Sequence, residues 1–263
     1  MLLREVEYVK PPSVAGALAA LAANDGARAL AGGQTLINVM KARAASPDVL
    51  VDLNGLDELK GIDLGADGTL SIGPMTTYTE LVESAEARAR PILGQVCSQI
   101  ADVQVRNRGT IGGNLCSNDP TNHLPPLMAA IGAELTITGQ AGERTVPAAD
   151  FFLGVYMTAV GQDELLTRIT IPAGKRDGFA AVTLGVDGTC IANAAATING
   201  VLRIALGCVD AVPIMIEAES PDHVREAVRA AKLDPPSDVH ASSAYRAHLA
   251  EVLAERAARQ ATR

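Results

Sequence analysis

Apolar residues recur at helical spacing over 13–24, "SVAGALAALAAN", with Ser13 placed as an N-cap behind Pro11-Pro12 and Gly26 just beyond the end. Arg28–Leu30 reads as a short strand, Thr35–Arg43 as a helix and Val49–Leu53 as a second strand, a small β-α-β unit with Gly32-Gly33 at its strand-to-helix turn. Further along, 68–77 reads as a strand running into a turn, and 77–85 and 91–101 as helices. Leu124–Ile131 reads as a helix whose first turn accepts Pro125 and Pro126. Strands follow at 133–138 and 165–172, and a domain boundary is expected near Pro172-Ala173-Gly174. Beyond it the pattern predicts strands near 179–184, 191–198 and 201–208, a helix over 221–232 and a linker at 234–238. A last helix over about 242–260 carries Tyr245, Leu249, Val252 and Leu253 on one face.

Two stretches share one device. "ALAGGQTLINVMK" (29–41) and "RGTIGGNLCSNDP" (108–120) each set a Gly-Gly pair and a polar amide between apolar segments. Glycine at such a turn permits positive φ and lets a ligand approach the backbone, and the amides of the following helix start attract an anion. One such pair is an ordinary turn; two suggest the halves of one site, able to grip a pyrophosphate without a lysine. Neither stretch is GxGxxG or GxxxxGK[ST], which disfavours the Rossmann and P-loop readings.

Bulk properties narrow the partners. A 263-residue chain that is 48% hydrophobic can bury more than one core, and a net charge of −8 argues against nucleic acid. No apolar run reaches membrane-spanning length and the first residues lack a signal-peptide core, so the expectation is a soluble, intracellular chain. Cys97, Cys116, Cys190 and Cys208 form no CxxC pair and have no His at metal-ligand spacing, so they read as reduced thiols.

At this point the sequence resembles a known family. "AGGQTLINVMK" is similar to the AGG[QH]SL-x-P-x-M motif of the flavin-binding subunits of molybdenum hydroxylases, and "RNRGTIGGNLCSNDPTNHLPPLMAAIGAEL" is similar to the second motif of that family, TIGGN followed by DP and a D-[LM]-P segment. The likeness is nearest to the medium subunits of aerobic carbon monoxide dehydrogenases, with the FAD-binding subunit of xanthine dehydrogenase more distant, and it continues through "DELLTRITIP" and "RIALGCVDAVPI" to "AYRAHLAEVLAERA". It implies an α+β fold: a two-part FAD-binding domain, with a small β-α-β part over 1–55 and a larger α/β part over 56–172, then an α+β C-terminal domain over 173–263.

The resemblance also implies the site. Ala31, Gly32, Gly33, Gln34 and Thr35, continued by Leu36, would bind the FAD pyrophosphate together with Thr110, Ile111, Gly112, Gly113 and Asn114. Leu165 matches a position whose backbone lies beside the flavin ring, and Ile100 and Ile191 match positions packed near the isoalloxazine. His123 replaces the aspartate of the D-[LM]-P segment and could donate a hydrogen bond to the ribityl chain. Thr183 stands where the family has a lysine and Cys190 where it has an aspartate, departures that bear on the flavin potential more than on flavin binding.

By the same resemblance, FAD is held non-covalently, with no attachment His or Cys expected in the two motifs. A large partner subunit carries molybdopterin, a small partner subunit carries two [2Fe–2S] clusters, and the assembly is a dimer of heterotrimers. The location is cytoplasmic, with attachment to the inner face of the membrane through partners left open. Two other readings stand beside this one: a self-sufficient flavin oxidoreductase, which needs an acid–base group over the flavin, and a scaffold that has lost flavin. Substrate and electron acceptor are not legible in this chain.

Overall fold

The structure, a computed structural model, describes residues 3–185 and 188–263. The chain opens with β1 (Glu7–Val9), α1 (Val14–Ala22), β2 (Ala27–Leu30), α2 (Leu36–Lys41) and β3 (Val49–Asp52). The strands form a parallel sheet in the order β1-β3-β2. Ser13 caps α1 by accepting the Gly16 N–H at 3.1 Å, as its position ahead of the apolar run predicts. Ala17, Leu18 and Leu21 of α1 pack on Val49 and Val51 of β3.

The central part begins with β4 (Ile62–Leu64) and β5 (Leu70–Ile72). It continues through α3 (Tyr78–Glu83), α4 (Ile92–Cys97), α5 (Val103–Arg106), α6 (Ile111–Ser117) and α7 (Leu124–Ala130). Then come β6 (Glu134–Gly139), β7 (Gly142–Pro147), α8 (Ala148–Phe151), a hairpin of β8 (Phe152–Gly154) and β9 (Met157–Thr158), and β10 (Leu165–Ile171). Five of these strands make an antiparallel sheet ordered β4-β5-β10-β6-β7. Thr77 and Glu80 form a capping box that starts α3. Leu115, Leu127, Met128, Leu135 and Ile169 lie in one core beneath that sheet.

The last part is an antiparallel sheet in chain order, β11 (Asp177–Thr183), β12 (Cys190–Asn199), β13 (Val201–Gly207) and β14 (Ile214–Ala218), covered by α9 (Val224–Ala230) and α10 (Ser243–Ala261). Here the expected face of the last helix is corrected. Tyr245 is 48% exposed, and the buried face is Arg246, Leu249 and Leu253 with Ala250, Ala254, Ala257, Ala258 and Ala261. Small residues let the helix lie close on the sheet, so alanines rather than the largest apolar side chains carry the contact. Among the described residues no helix is long and apolar enough to cross a membrane.

Candidate flavin site

The turn from β2 into α2 and the start of α6 meet around a cavity of about 610 Å³, within the usual range for small-molecule sites. Ala31, Gly32, Gly33, Gln34, Thr35 and Leu36 line one side. Thr110, Gly112, Gly113 and Asn114 line another, and Leu165 at the start of β10 completes the wall. Residues eighty positions apart in the chain are therefore one surface.

The glycines explain how. A Cβ on Gly32 would overlap the Arg108 carbonyl oxygen and stand 2.8 Å from its carbon, so the two segments touch backbone to backbone. Gly33 has φ +75, which only glycine adopts without strain. Among the described residues no protein acceptor takes the N–H groups of Gly32, Gly33, Gln34 or Thr35, which leaves a run of donors suited to anionic oxygens. The Ala31 carbonyl is pinned by Asn54 Nδ2 at 3.0 Å, and that amide also donates to Asp52 at 2.6 Å. Burial opposes ionisation of Asp52, but hydrogen bonds from Tyr8 and Asn54 outweigh it and hold the carboxyl below its usual range.

The second segment departs from expectation. Gly112 and Gly113 lie in the first turn of α6, not in a loop, and neither has positive φ. Thr110 is the N-cap, its Oγ1 accepting the Gly113 N–H at 3.1 Å. Gly112 is required by contact: its Cβ would stand 2.7 Å from the Pro74 carbonyl oxygen, which already accepts the Gly112 N–H at 2.8 Å. Asn114 donates to the Tyr78 hydroxyl at 3.0 Å, while its own Oδ1 is buried without a partner. The backbone donors, the orphaned amide oxygen and the cavity volume all fit a large, phosphate-bearing ligand such as FAD.

Five of the residues assigned by resemblance lie away from the cavity wall. Ile111 is fully buried in the central core and Ile100 packs against that core. Ile191 is buried under α10 in the C-terminal core. Thr183 ends β11, its hydroxyl donating to the Gly185 carbonyl at 2.7 Å. His123 precedes α7, 6% exposed, its ring tilted against Phe179 at 5.4 Å and its Nε2 without a partner.

Desolvation lowers the His123 pKa to about 4, against an opposing backbone hydrogen bond at Thr121. The unfolded chain therefore binds more protons between about pH 4 and 6.5, so stability is expected to be full above 6.5 and to fall as pH drops toward 4. The loss at the lower limit is about 3 kcal/mol. His123→Phe, measured by urea denaturation across that range, should remove this part of the pH dependence; an unchanged profile would contradict a buried neutral imidazole.

Several lining residues carry no motif of their own: Met75, Tyr78, Tyr156 and Glu164 reach the cavity only through the fold. Cys116 modifies one expectation, because a cysteine of the second motif does line the cavity. Burial pushes its thiol up to about 12, so it is held neutral.

With this geometry in place, residues 4–174 match the family described as FAD binding domain in molybdopterin dehydrogenase. The chain belongs to this family. It is 37% identical to the carbon monoxide dehydrogenase medium chain of Afipia carboxidovorans over 99% of this chain and 98% of that one. It is 33% identical to the glyceraldehyde dehydrogenase medium chain of Sulfolobus acidocaldarius over 96% and 97%. The solved carbon monoxide dehydrogenase of Hydrogenophaga pseudoflava has a chain that superposes with a TM-score of 0.91 at 35% identity, covering 100% of this chain and 99% of that chain. The fold is thus that of a medium-subunit flavoprotein, and the relatives are named as dehydrogenases.

Proposed function

We propose that this chain is the electron-exit subunit of a molybdenum hydroxylase complex. It would receive electrons from [2Fe–2S] clusters on a small partner subunit and deliver them to an external acceptor, while a large molybdopterin-binding partner oxidises the substrate. Two copies of this heterotrimer make the cytoplasmic assembly, and the chain divides into units 1–55, 56–172 and 173–263. Bound in the cavity, FAD would supply the ability to take up single electrons and release a pair.

The chain's own part is to hold that group. Gly32 to Thr35 offer backbone donors to the pyrophosphate, Thr110 and Asn114 close the other side, and Leu165 keeps one wall apolar. The observation that carries the reading is the convergence of both glycine segments on one cavity. The titratable lining residues favour electron transfer over self-sufficient substrate chemistry. Tyr78, Cys116 and Tyr156 are pushed up by burial, Tyr156 also donating to Asp119 at 3.1 Å, and Glu164 is tied to Arg144 in an ion pair with a second contact at 2.7 Å. None is a free acid or base.

The test is reconstitution. The isolated chain should reduce no dye with carbon monoxide, aldehydes or N-heterocycles, and the complex with both partner subunits should turn over its substrate. Robust turnover by the isolated flavoprotein would overturn the electron-exit reading in favour of a self-sufficient oxidoreductase.

A further inference from the structure

The C-terminal sheet holds a buried polar cluster outside the lining of the flavin cavity. Cys190 begins β12 and Cys208 follows β13; both are free thiols, 1% and 5% exposed. Two departures from regular strand geometry bring them together. Val182 pairs with Ala192 but Thr183 pairs with Cys190, so Ile191 is an extra residue that turns Cys190 across the sheet. Cys208 takes φ +65, a left-handed conformation rare for a residue with a Cβ. As a result Asn193 Nδ2 lies 3.4 Å from each sulfur, which brings the two thiols to one amide, and the Cys190 thiol donates to the Val182 carbonyl at 3.7 Å.

Arg246, 4% exposed, backs the pair. Its guanidinium donates to the Ile191 carbonyl, to the Cys208 carbonyl at 3.3 Å and to Asp238 at 2.6 Å. The neighbouring Cys208 thiol holds the Cys190 thiol below its ordinary value against the effect of burial, helped by Asn193 and the Arg246 charge; Cys208 is pushed up in turn. Asn193 Nδ2 also donates to the Asn122 carbonyl at 3.2 Å, which ties the pair to the turn between α6 and α7. Cys208 itself lines a cleft of about 10 Å³ with Asn118, Asp119 and Asn122, room for one water-sized molecule.

We propose that Cys190 and Cys208 are a reversible thiol–disulfide site oxidised by hydrogen peroxide. The Cys190 thiolate attacks one peroxide oxygen; the O–O bond breaks, Cys190 becomes a sulfenic acid, and the departing hydroxide takes the proton that Cys190 lost on ionising. The Cys208 sulfur then attacks the Cys190 sulfur, the S–O bond breaks, and water leaves with the Cys208 proton. The two thiols lose two electrons and two protons, and peroxide is reduced to two waters. A dithiol reductant reverses the change by thiol–disulfide exchange.

The experiment uses the full, folded chain. The reduced protein is titrated with hydrogen peroxide, alkylated in denaturant and digested with trypsin without reduction. Peptides 177–203 and 204–225 carry Cys190 and Cys208 separately, and the expected result is their linked form, two hydrogens lighter than the sum, becoming dominant and disappearing with dithiothreitol. Cys97 and Cys116 should remain alkylated, and Cys190→Ser should abolish the linked peptide. Recovery of both peptides alkylated at peroxide levels that oxidise free cysteine would overturn the proposal. So would a linkage through Cys97 or Cys116 in place of this pair.

Discussion

Gly32→Ala is expected to strip the protein of flavin. The new Cβ would overlap the Arg108 carbonyl oxygen, stand 2.8 Å from the Arg108 carbon and 3.0 Å from the Gly109 Cα. All three are backbone atoms, so no rotamer change relieves the overlap and the two glycine segments must separate. Overpacking of this kind costs about 1–3 kcal/mol in folding stability. The effect on binding should be larger, because the same shift misplaces the donors of both segments; a loss of tenfold or more, about 1.4 kcal/mol or above, is expected. Flavin-to-protein absorbance after gel filtration measures it. Gly132→Ala is the control: Gly132 has φ +69 but nothing within 4 Å of an added Cβ, so that variant should lose some stability and keep its flavin. Normal flavin content in Gly32→Ala would mean that the contact with Arg108 does not shape the site.

Arg90→Met is expected to be the most destabilising single change. Arg90 and Asp177 form a two-pronged ion pair at 2.9 and 2.8 Å, with side chains 4% and 3% exposed. Arg90 Nη1 also donates to the Pro172 carbonyl at 2.5 Å, and Thr197 donates to Asp177 at 2.7 Å. The network thus joins the central part to β11 and β12 where the chain passes from one to the other. Removing the cation leaves a buried carboxylate with Thr197 as its remaining side-chain donor, a loss of about 3–5 kcal/mol. Urea denaturation should show that loss, and Arg90→Met with Asp177→Leu should recover most of it, since a neutral apolar pair has no charge to desolvate. A single-variant loss below about 1 kcal/mol would contradict a dry ion pair.

The α+β class and the two glycine motifs were legible because each rests on local constraints. Ser13 and Thr77 cap helices through their own side chains, and Gly33 needs a backbone that other residues resist. The missed elements lacked such signals. The strand Glu7–Val9 is three residues long, and Gly142–Pro147 is an exposed polar edge strand with no apolar alternation. The helix at Ile111–Ser117 was hidden by its glycines, which break helices by propensity; here Thr110 caps it and Pro74 demands Gly112. Tyr78 and Glu164 join the cavity through tertiary contact, which no local pattern records. The Arg90–Asp177 pair spans 87 positions and is equally silent in the sequence.

The cavity between the two glycine segments is expected to hold one FAD without a covalent bond. An absorbance spectrum of the purified chain, followed by acid precipitation and mass analysis of the supernatant, tests it most directly. The expected result is one flavin per chain, released into the supernatant as intact FAD. A colourless chain, a flavin lacking the adenylate, or colour that stays in the pellet would contradict it.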